Sequence, residues 1–324
     1  MISNRIFVAS VAMLAWIAAG AQKRLTMQEC IDMAVKNNYG IRAAEGEVEK
    51  SQLMQGSAWD LDKTSLSLKQ DPTSGGSPDN SLTLSQSFDF PTVYALRRRS
   101  LKAETAVAKS RAGLSRKQLS AEVANAYGQM VFVIEKKRIL AEQDTIIGKY
   151  LHLATVRYMA GEARQLEKLT ASRMRGENRM ELEKTDAEYR ALKQKMRELL
   201  NTDEDIAPAD EQQKPLTYEE AGSIDFASTA EGEYYSKALD MGNRKVSEAK
   251  SGYLPNFSVG LSTQMVFKGW NPYHVDRSRF GKGDFMGFEV GVGLPLFFGS
   301  TRAKVKAARK DREITELYGR QSMQ

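Results

Sequence analysis

A stretch from Val93 to Tyr158 contains no proline and few glycines, and it constrains the fold more than any other feature of the sequence. Apolar residues recur within it at spacings of three, four and seven, which predicts one continuous helix. The stripe comprises Leu119, Val123, Tyr127, Met130 and Ile134, followed by Leu140, Ile147, Leu151, Ala154 and Tyr158. Roughly 65 residues at about 1.5 Å each give a rod of about 100 Å, far longer than an ordinary globular domain accommodates.

A second long helix follows Gly161 and has the spacing of a coiled coil. Its apolar positions alternate by three and four residues, which is a heptad seam that packs against a partner helix. They are Leu182, Thr185, Tyr189, Leu192, Met196 and Leu199. We therefore predict a long antiparallel helical hairpin over residues 93–200, with its turn near Ala160 and Gly161.

Two other regions alternate between apolar and small or polar residues, as β-hairpins do. The first covers residues 60–90, with turn-forming residues at 71–78, and the second covers 255–296. Each strand is about ten residues long. A strand with one apolar face and one small or polar face suits a transmembrane barrel, although a soluble sandwich also alternates. These faces carry almost no charge, with Glu289 alone on the small-residue side of its strand. That scarcity of charge and the long adjoining helices favour the membrane.

The residues expected to face lipid are the apolar members of the alternating strands. They are Leu82, Leu84, Phe88, Phe257, Val259, Leu261, Phe288, Val290 and Val292. Four strands cannot close a barrel, because the smallest membrane barrels have about eight. An unpaired strand edge in lipid is also costly, so the subunit must oligomerise. Three copies would supply 3 × 4 = 12 strands.

The order helix, hairpin, helix occurs twice, so the sequence contains an internal repeat. The capping-box pattern Leu25-Thr26-Met27-Gln28-Glu29 recurs as Leu216-Thr217-Tyr218-Glu219-Glu220. The first repeat covers 22–215 and ends in a linker at 201–215. The second repeat covers 216–324 and stops shortly after a new helix begins near 301.

Residues 1–21 have the features of a secretory signal peptide, with Arg5, a short apolar run and a small-residue cleavage site. The protein is therefore expected to be exported. The single cysteine, Cys30, lies inside a helical pattern beyond that site, and we expect it to be a buried apolar residue.

The remaining features argue against catalysis and nucleic-acid binding. The net charge is +6, but Lys and Arg alternate with Asp and Glu along the helices and form no basic block. We find no nucleophile motif, phosphate-binding loop or His/Cys metal-ligand spacing. The chain is thus predicted to be no enzyme and to hold no cofactor and no metal.

The residues resemble those of the TolC-like outer-membrane efflux proteins. The resemblance covers the whole mature length, and its most specific element is the motif Arg157-Tyr158-x-x-Gly161-Glu162 followed by Leu166, Leu169 and Ala171. The duplicated hairpins and the segment from Leu25-Thr26 to Asn37-Asn38 also match. Phe90-Pro91-Thr92-Val93-Tyr94 is similar to the heavy-metal export branch found with RND pumps.

This resemblance implies an α+β membrane protein in which a homotrimer forms a 12-stranded barrel continued by a periplasmic helical tunnel. The protein would be an outer-membrane channel subunit of a tripartite efflux pump, a passive conduit for small molecules or metal ions. Arg157, Tyr158, Gly161, Leu166 and Leu169 would form the tip that docks a periplasmic adaptor. An inner-membrane pump, of RND type in that branch, would be the further partner.

Two alternatives are a soluble, trimeric periplasmic coiled coil of the holdase kind and a type I secretion conduit for polypeptides. The holdase alternative does not explain the four alternating strands in two matched hairpins. One departure from the family pattern concerns the second repeat, which has only about 29 residues after Pro295 where a second long hairpin is expected. This indicates a truncated gene product or an incomplete tunnel wall.

Overall fold

The computed structural model describes residues 23–72, 78–212, 225–264 and 286–323. They divide into two compact units, one formed by 23–44 and 112–212 and the other by 45–111 together with the described residues from 225 onward. The units are interleaved in sequence and do not coincide with the two sequence repeats. The predicted signal peptide, the second capping box at Thr217 and the loop around Trp270 lie outside the described residues.

Helix α1 (Met27–Asn37) begins with the predicted capping box. The Thr26 hydroxyl accepts the Glu29 N–H at 3.3 Å, and the Glu29 carboxylate accepts the Thr26 N–H at 2.8 Å. The Thr26 N–H and then the Thr26 hydroxyl, which donates to the same carboxylate at 2.9 Å, hold the pKa of Glu29 below its usual value. The helix ends there: Asn38 is extended, and α2 (Tyr39–Met54) begins after it.

Helices α3 (Pro91–Met159) and α4 (Gln165–Leu200) are the two long helices. The predicted seam of α4 is buried at Thr185 and Met196 and half-buried at its other positions. Polar contacts flank it: the Asn178 side-chain amide donates to the Leu140 carbonyl at 3.0 Å. Arg175 lies 3.4 Å from Asp144 and holds the pKa of that carboxyl below its usual value. The helices therefore pack antiparallel in the register that the heptads require.

A hydrophobic core joins α1 to both long helices. Cys30 is 1% exposed and packs with Ala34, Val123, Met130 and Leu200 in one cluster. Burial raises the pKa of the Cys30 thiol to about 11. The expectation that Cys30 is a buried apolar residue is confirmed.

A small parallel sheet accompanies this core and was missed by the sequence analysis. Strand β1 (Lys23–Leu25) pairs with β4 (Ile206–Pro208), which lies in the segment interpreted as a linker. Three-residue strands have too little alternation to detect, and the partner strand is remote in sequence. All three residues of β4 are buried, so this segment is partly structured.

The second unit contains a four-stranded antiparallel sheet in the order β2-β3-β5-β6. Its strands are β2 (Ser65–Pro72), β3 (Pro78–Asp89), β5 (Asn256–Gln264) and β6 (Met286–Gly293). The central pair, β3 and β5, joins the hairpins of the two sequence repeats. The sheet therefore pairs residues that are 167 to 183 positions apart in sequence.

Helices α5 (Ala230–Lys250) and α6 (Gly299–Ser322) pack against each other beside this sheet. Two glycines allow a close approach: a Cβ at Gly242 would lie 3.2 Å from the Arg312 side chain, and one at Gly319 would lie 3.4 Å from the Tyr235 ring. None of the helices in the described part of the chain is long and apolar enough to cross a membrane.

Candidate functional site: an exposed apolar sheet face and a helix turn

The four-stranded sheet has one face made of large apolar side chains that lie in rows across the strands. In one row, Leu66 pairs with Leu84, Leu84 with Leu261, and Leu261 with Phe288. These side chains are between 46% and 81% exposed. Cross-strand neighbours of this kind form a continuous apolar surface.

The other rows extend the same surface. Phe88 pairs with Phe257 and Phe257 with Val292, while Val259 pairs with Val290. Leu82, opposite Leu68, is the remaining residue of the predicted lipid-facing set. The register therefore brings all nine predicted residues to one face, interrupted by Gln86.

The opposite face carries small and polar side chains. Ser85, Gly260 and Glu289 form one row, and Ser87, Ser258 and Gly291 form the next. The two faces thus differ sharply in polarity, as in a sheet with lipid on one side and water on the other.

Aromatic residues mark the end of the sheet where the helices begin. Trp59 stacks on Tyr94 with ring centroids 5.2 Å apart, and Phe90 lies 6.0 Å from Phe257. In the second repeat, Tyr253 lies 5.6 Å from Phe298. The Asp89 N–H donates to the Tyr94 hydroxyl oxygen at 2.8 Å and fixes the turn from strand to helix. The position of these aromatic side chains at one end of the sheet resembles the aromatic belt of a membrane protein.

A charged cleft of about 760 Å³ lies at this end of the sheet, beside the polar-face residues Asp89 and Asn256. Its cations are Arg97, which lies 3.4 Å from Asp89, and Lys245 and Lys304. The sequence analysis missed this cleft, because its residues come from six separate helices and strands: α3, α5, α6, β3, β5 and β6.

The turn between α3 and α4 has the geometry of a Schellman motif. Gly161, in the predicted turn, has φ +79°. The Glu162 N–H donates to the Arg157 carbonyl at 2.9 Å, and the Gly161 N–H donates to the Tyr158 carbonyl at 3.1 Å. These two hydrogen bonds satisfy carbonyl groups that the end of α3 would otherwise leave unpaired.

Exposed apolar side chains surround this turn. Leu166 is 70% exposed, Leu169 is 56% exposed, and Tyr158 is 38% exposed with the Lys168 ammonium 5.5 Å from its ring centroid. Met159, which the sequence analysis did not single out, is 78% exposed. The turn thus presents an apolar surface with nearby cations, chemistry that suits contact with another protein.

No group of three or more His, Cys, Asp or Glu side chains that could hold a metal ion occurs in the described residues. His152 is exposed on α3, and His274 lies outside the described ranges.

No protein-family model matches the sequence, and the comparison with curated proteins gives no match. Solved structures do match. The alignment with the outer-membrane channel OprN covers 94% of this chain and 75% of that one, at 15% identity and a TM-score of 0.71. The outer membrane protein VceC from Vibrio cholerae aligns with 91% of this chain over 75% of its own, at 15% identity and a TM-score of 0.68.

CusC, whose structures concern folding and transmembrane channel formation, aligns with 93% of this chain over 73% of its own, at 15% identity and a TM-score of 0.71. These similarities extend over both units and both sequence repeats. The resemblance predicted from the sequence is confirmed at the level of structure: the chain has the fold of these outer-membrane channels.

Proposed function

We propose that this protein is an outer-membrane channel subunit of an export system. The observation that carries the proposal is the exposed apolar face of the four-stranded sheet, opposite a face of small and polar side chains. An apolar surface of this kind is unfavourable in water but favourable in lipid. The strands have 8 to 12 residues, close to the 9–11 that a tilted transmembrane strand needs.

The sheet also supports assembly into a trimer. Within the described residues, β2 and β6 each pair with one neighbour only and leave an open edge. Unpaired backbone groups in lipid cost several kcal/mol each, so the edges must find partners. Three copies joined edge to edge would form a barrel of 3 × 4 = 12 strands. The small and polar face would then line a water-filled passage, with the cleft near Arg97 at one end.

In the same proposal, the helical hairpin extends into the periplasm and its turn docks a periplasmic adaptor. Tyr158, Met159, Leu166 and Leu169 are the exposed apolar side chains available for this contact. The adaptor would connect the channel to an inner-membrane pump, and the channel would act as a passive conduit for small solutes or metal ions. An RND-type pump and a metal cargo rest on the short motif that begins at Phe90.

Membrane fractionation tests the location and the assembly. The exported protein should sediment with the outer membrane and migrate as a trimer after mild detergent extraction. Recovery in the soluble periplasmic fraction would instead support the holdase alternative and end the channel proposal.

Crosslinking tests the adaptor contact. Tyr158→Asp should leave outer-membrane recovery and trimer formation unchanged but reduce crosslinking to the adaptor and the export phenotype. His152→Asp is the control, because this exposed residue precedes the turn by more than one helical turn. If Tyr158→Asp crosslinks like wild type, the docking role of the turn is wrong. Supplying small-solute, metal and polypeptide cargoes to the same strains distinguishes efflux from type I secretion.

A further inference from the structure

Two pairs of cations recur at the same distance after the prolines that end the sheet in the two repeats. Arg98 and Lys102 follow Pro91 by seven and eleven positions, and Arg302 and Lys306 follow Pro295 by seven and eleven. The strands before them also correspond, since Phe88 and Val292 occupy the same row of the apolar face. The dibasic pairs are therefore equivalent positions of the internal repeat.

All four side chains are exposed, and none of them forms an ion pair with any residue that the structure describes. Members of each pair are four residues apart on one helix, where like charges lie close together and repel each other. Helices α3 and α6 have no acidic residue in their first turns, whereas α1, α4 and α5 each have at least one. The cations thus lack a counter-charge within this part of the chain.

The position of these four cations relative to the apolar face indicates which group can supply the opposite charge. Arg98 lies seven residues into α3, about 10 Å along the helix axis. The headgroup region of one leaflet is about 5–8 Å deep, half the difference between a total thickness of ~40–45 Å and a core of ~30 Å. Side chains on a helix point back toward its N-terminus, which here is the sheet, and long cationic side chains extend to the headgroups.

Aromatic side chains lie at the end of the sheet from which the two helices with the cations begin. Trp59 and Phe298 are 66% and 46% exposed, and Phe297 is 92% exposed. Aromatic residues prefer the membrane–water boundary, with cations just beyond them toward water. This order of apolar face, aromatic residues and cations is repeated in both halves of the unit.

We propose that Arg98 and Lys102, and equivalently Arg302 and Lys306, bind the headgroup phosphates of anionic phospholipids in the leaflet on the helix side of the sheet. This inference rests on the proposed insertion of the sheet into a membrane. Charge complementarity favours this occupant over zwitterionic lipid, because each cation near an anionic surface adds about a fivefold preference.

The test uses Trp59 as a reporter at this boundary. Trp16 and Trp270 are replaced by Phe in every version of the full chain, which is reconstituted into phosphatidylcholine vesicles. Quenching is compared for brominated phosphatidylglycerol and brominated phosphatidylcholine at equal mole fraction. We expect phosphatidylglycerol to quench with at least about a fivefold higher apparent affinity, and this preference to fall with added salt.

Neutralising the four cations should reduce the ratio of the two apparent affinities, phosphatidylglycerol over phosphatidylcholine, to about one while Trp59 remains quenched. This variant is Arg98→Gln/Lys102→Gln/Arg302→Gln/Lys306→Gln. Two controls should keep the wild-type ratio. One is the charge-conserving Arg98→Lys/Arg302→Lys, and the other neutralises four exposed cations elsewhere: Lys36, Lys117, Arg190 and Lys195.

Each further outcome contradicts a specific statement. A wild-type ratio of about one, or a preference that survives neutralisation of all four cations, overturns the lipid inference but leaves insertion intact. Quenching by neither lipid means that the sheet does not enter the bilayer, and the proposed function then fails as well.

Discussion

The Tyr127 hydroxyl donates to the Asp210 carboxylate at 2.7 Å, and the Asp210 N–H donates back to the same hydroxyl oxygen at 3.3 Å. Tyr127 lies in the seam of α3 and is 4% exposed, whereas Asp210 follows strand β4 in the segment that had been interpreted as a linker. This reciprocal pair therefore fixes the segment after the long hairpin to the hydrophobic core beside Cys30.

Removal of the hydroxyl should destabilise this unit. Tyr127→Phe keeps the ring in the core but leaves two polar groups of Asp210 without this partner, at a cost of about 1–3 kcal/mol in the free energy of unfolding. Chemical denaturation followed by circular dichroism measures the difference. Tyr150→Phe serves as the control because Tyr150 is 47% exposed, and an equal loss in both variants would contradict the role of the pair.

The same tyrosine predicts a loss of stability in alkali. Burial and then the hydrogen bond to Asp210 raise the pKa of Tyr127 from 10.0 to about 12. The unfolded chain releases this proton at a lower pH than the folded chain does. The contribution is therefore fully present below pH 10 and is lost as the pH rises toward 12. Melting temperatures measured from pH 9 to 12 should fall more steeply in wild type than in Tyr127→Phe. Parallel curves would show that the titration of Tyr127 does not contribute to the loss of stability.

The two faces of the sheet should respond differently to charge. Val259 and Ser258 are neighbours on β5 and lie on opposite faces. Val259→Arg should reduce assembly in the outer membrane, because arginine on a lipid-facing strand near mid-bilayer costs about 2–4 kcal/mol. Ser258→Arg should have a much smaller effect, since its side chain would face water. Heat-modifiable migration of extracted membranes measures assembly, and similar losses in the two variants would count against a lipid-facing surface.

Two glycine substitutions should change the stability of the protein in opposite directions. Gly161→Ala places a side chain at φ +79°, which should destabilise the hairpin by about 1 kcal/mol. Gly113→Ala lies inside α3 with no atom within 4 Å of the new Cβ, so it should stabilise by about 0.5–1 kcal/mol. Thermal unfolding of both variants checks the pair. Equal changes in melting temperature in the two variants would mean that the turn does not constrain the backbone at Gly161.

Strong periodicity explains which parts of the fold could be predicted from sequence. The heptads of α4 and the alternation around Val290 each repeat over several turns or residue pairs, so the long helices and the apolar sheet face were recognised.

The parts that were missed depend on contacts between distant residues. Strand β1 has three residues, and its ladder forms only when Ile206 is brought beside Lys23. The charged cleft likewise combines Arg97, Lys245 and Lys304 from three helices. Met159 belongs to the exposed turn, but the sequence pattern does not distinguish it from a buried residue of the helix seam. Tertiary packing, rather than local pattern, creates these features.

The burial of Cys30 has a practical consequence for labelling chemistry. It is the single cysteine of the chain, it is 1% exposed, and the pKa of its thiol is raised to about 11. Because the thiolate is the reacting species, this side chain should be almost inert toward maleimides at neutral pH. A cysteine placed anywhere on the surface can therefore carry a fluorophore or a spin label by itself, with the native thiol left in place.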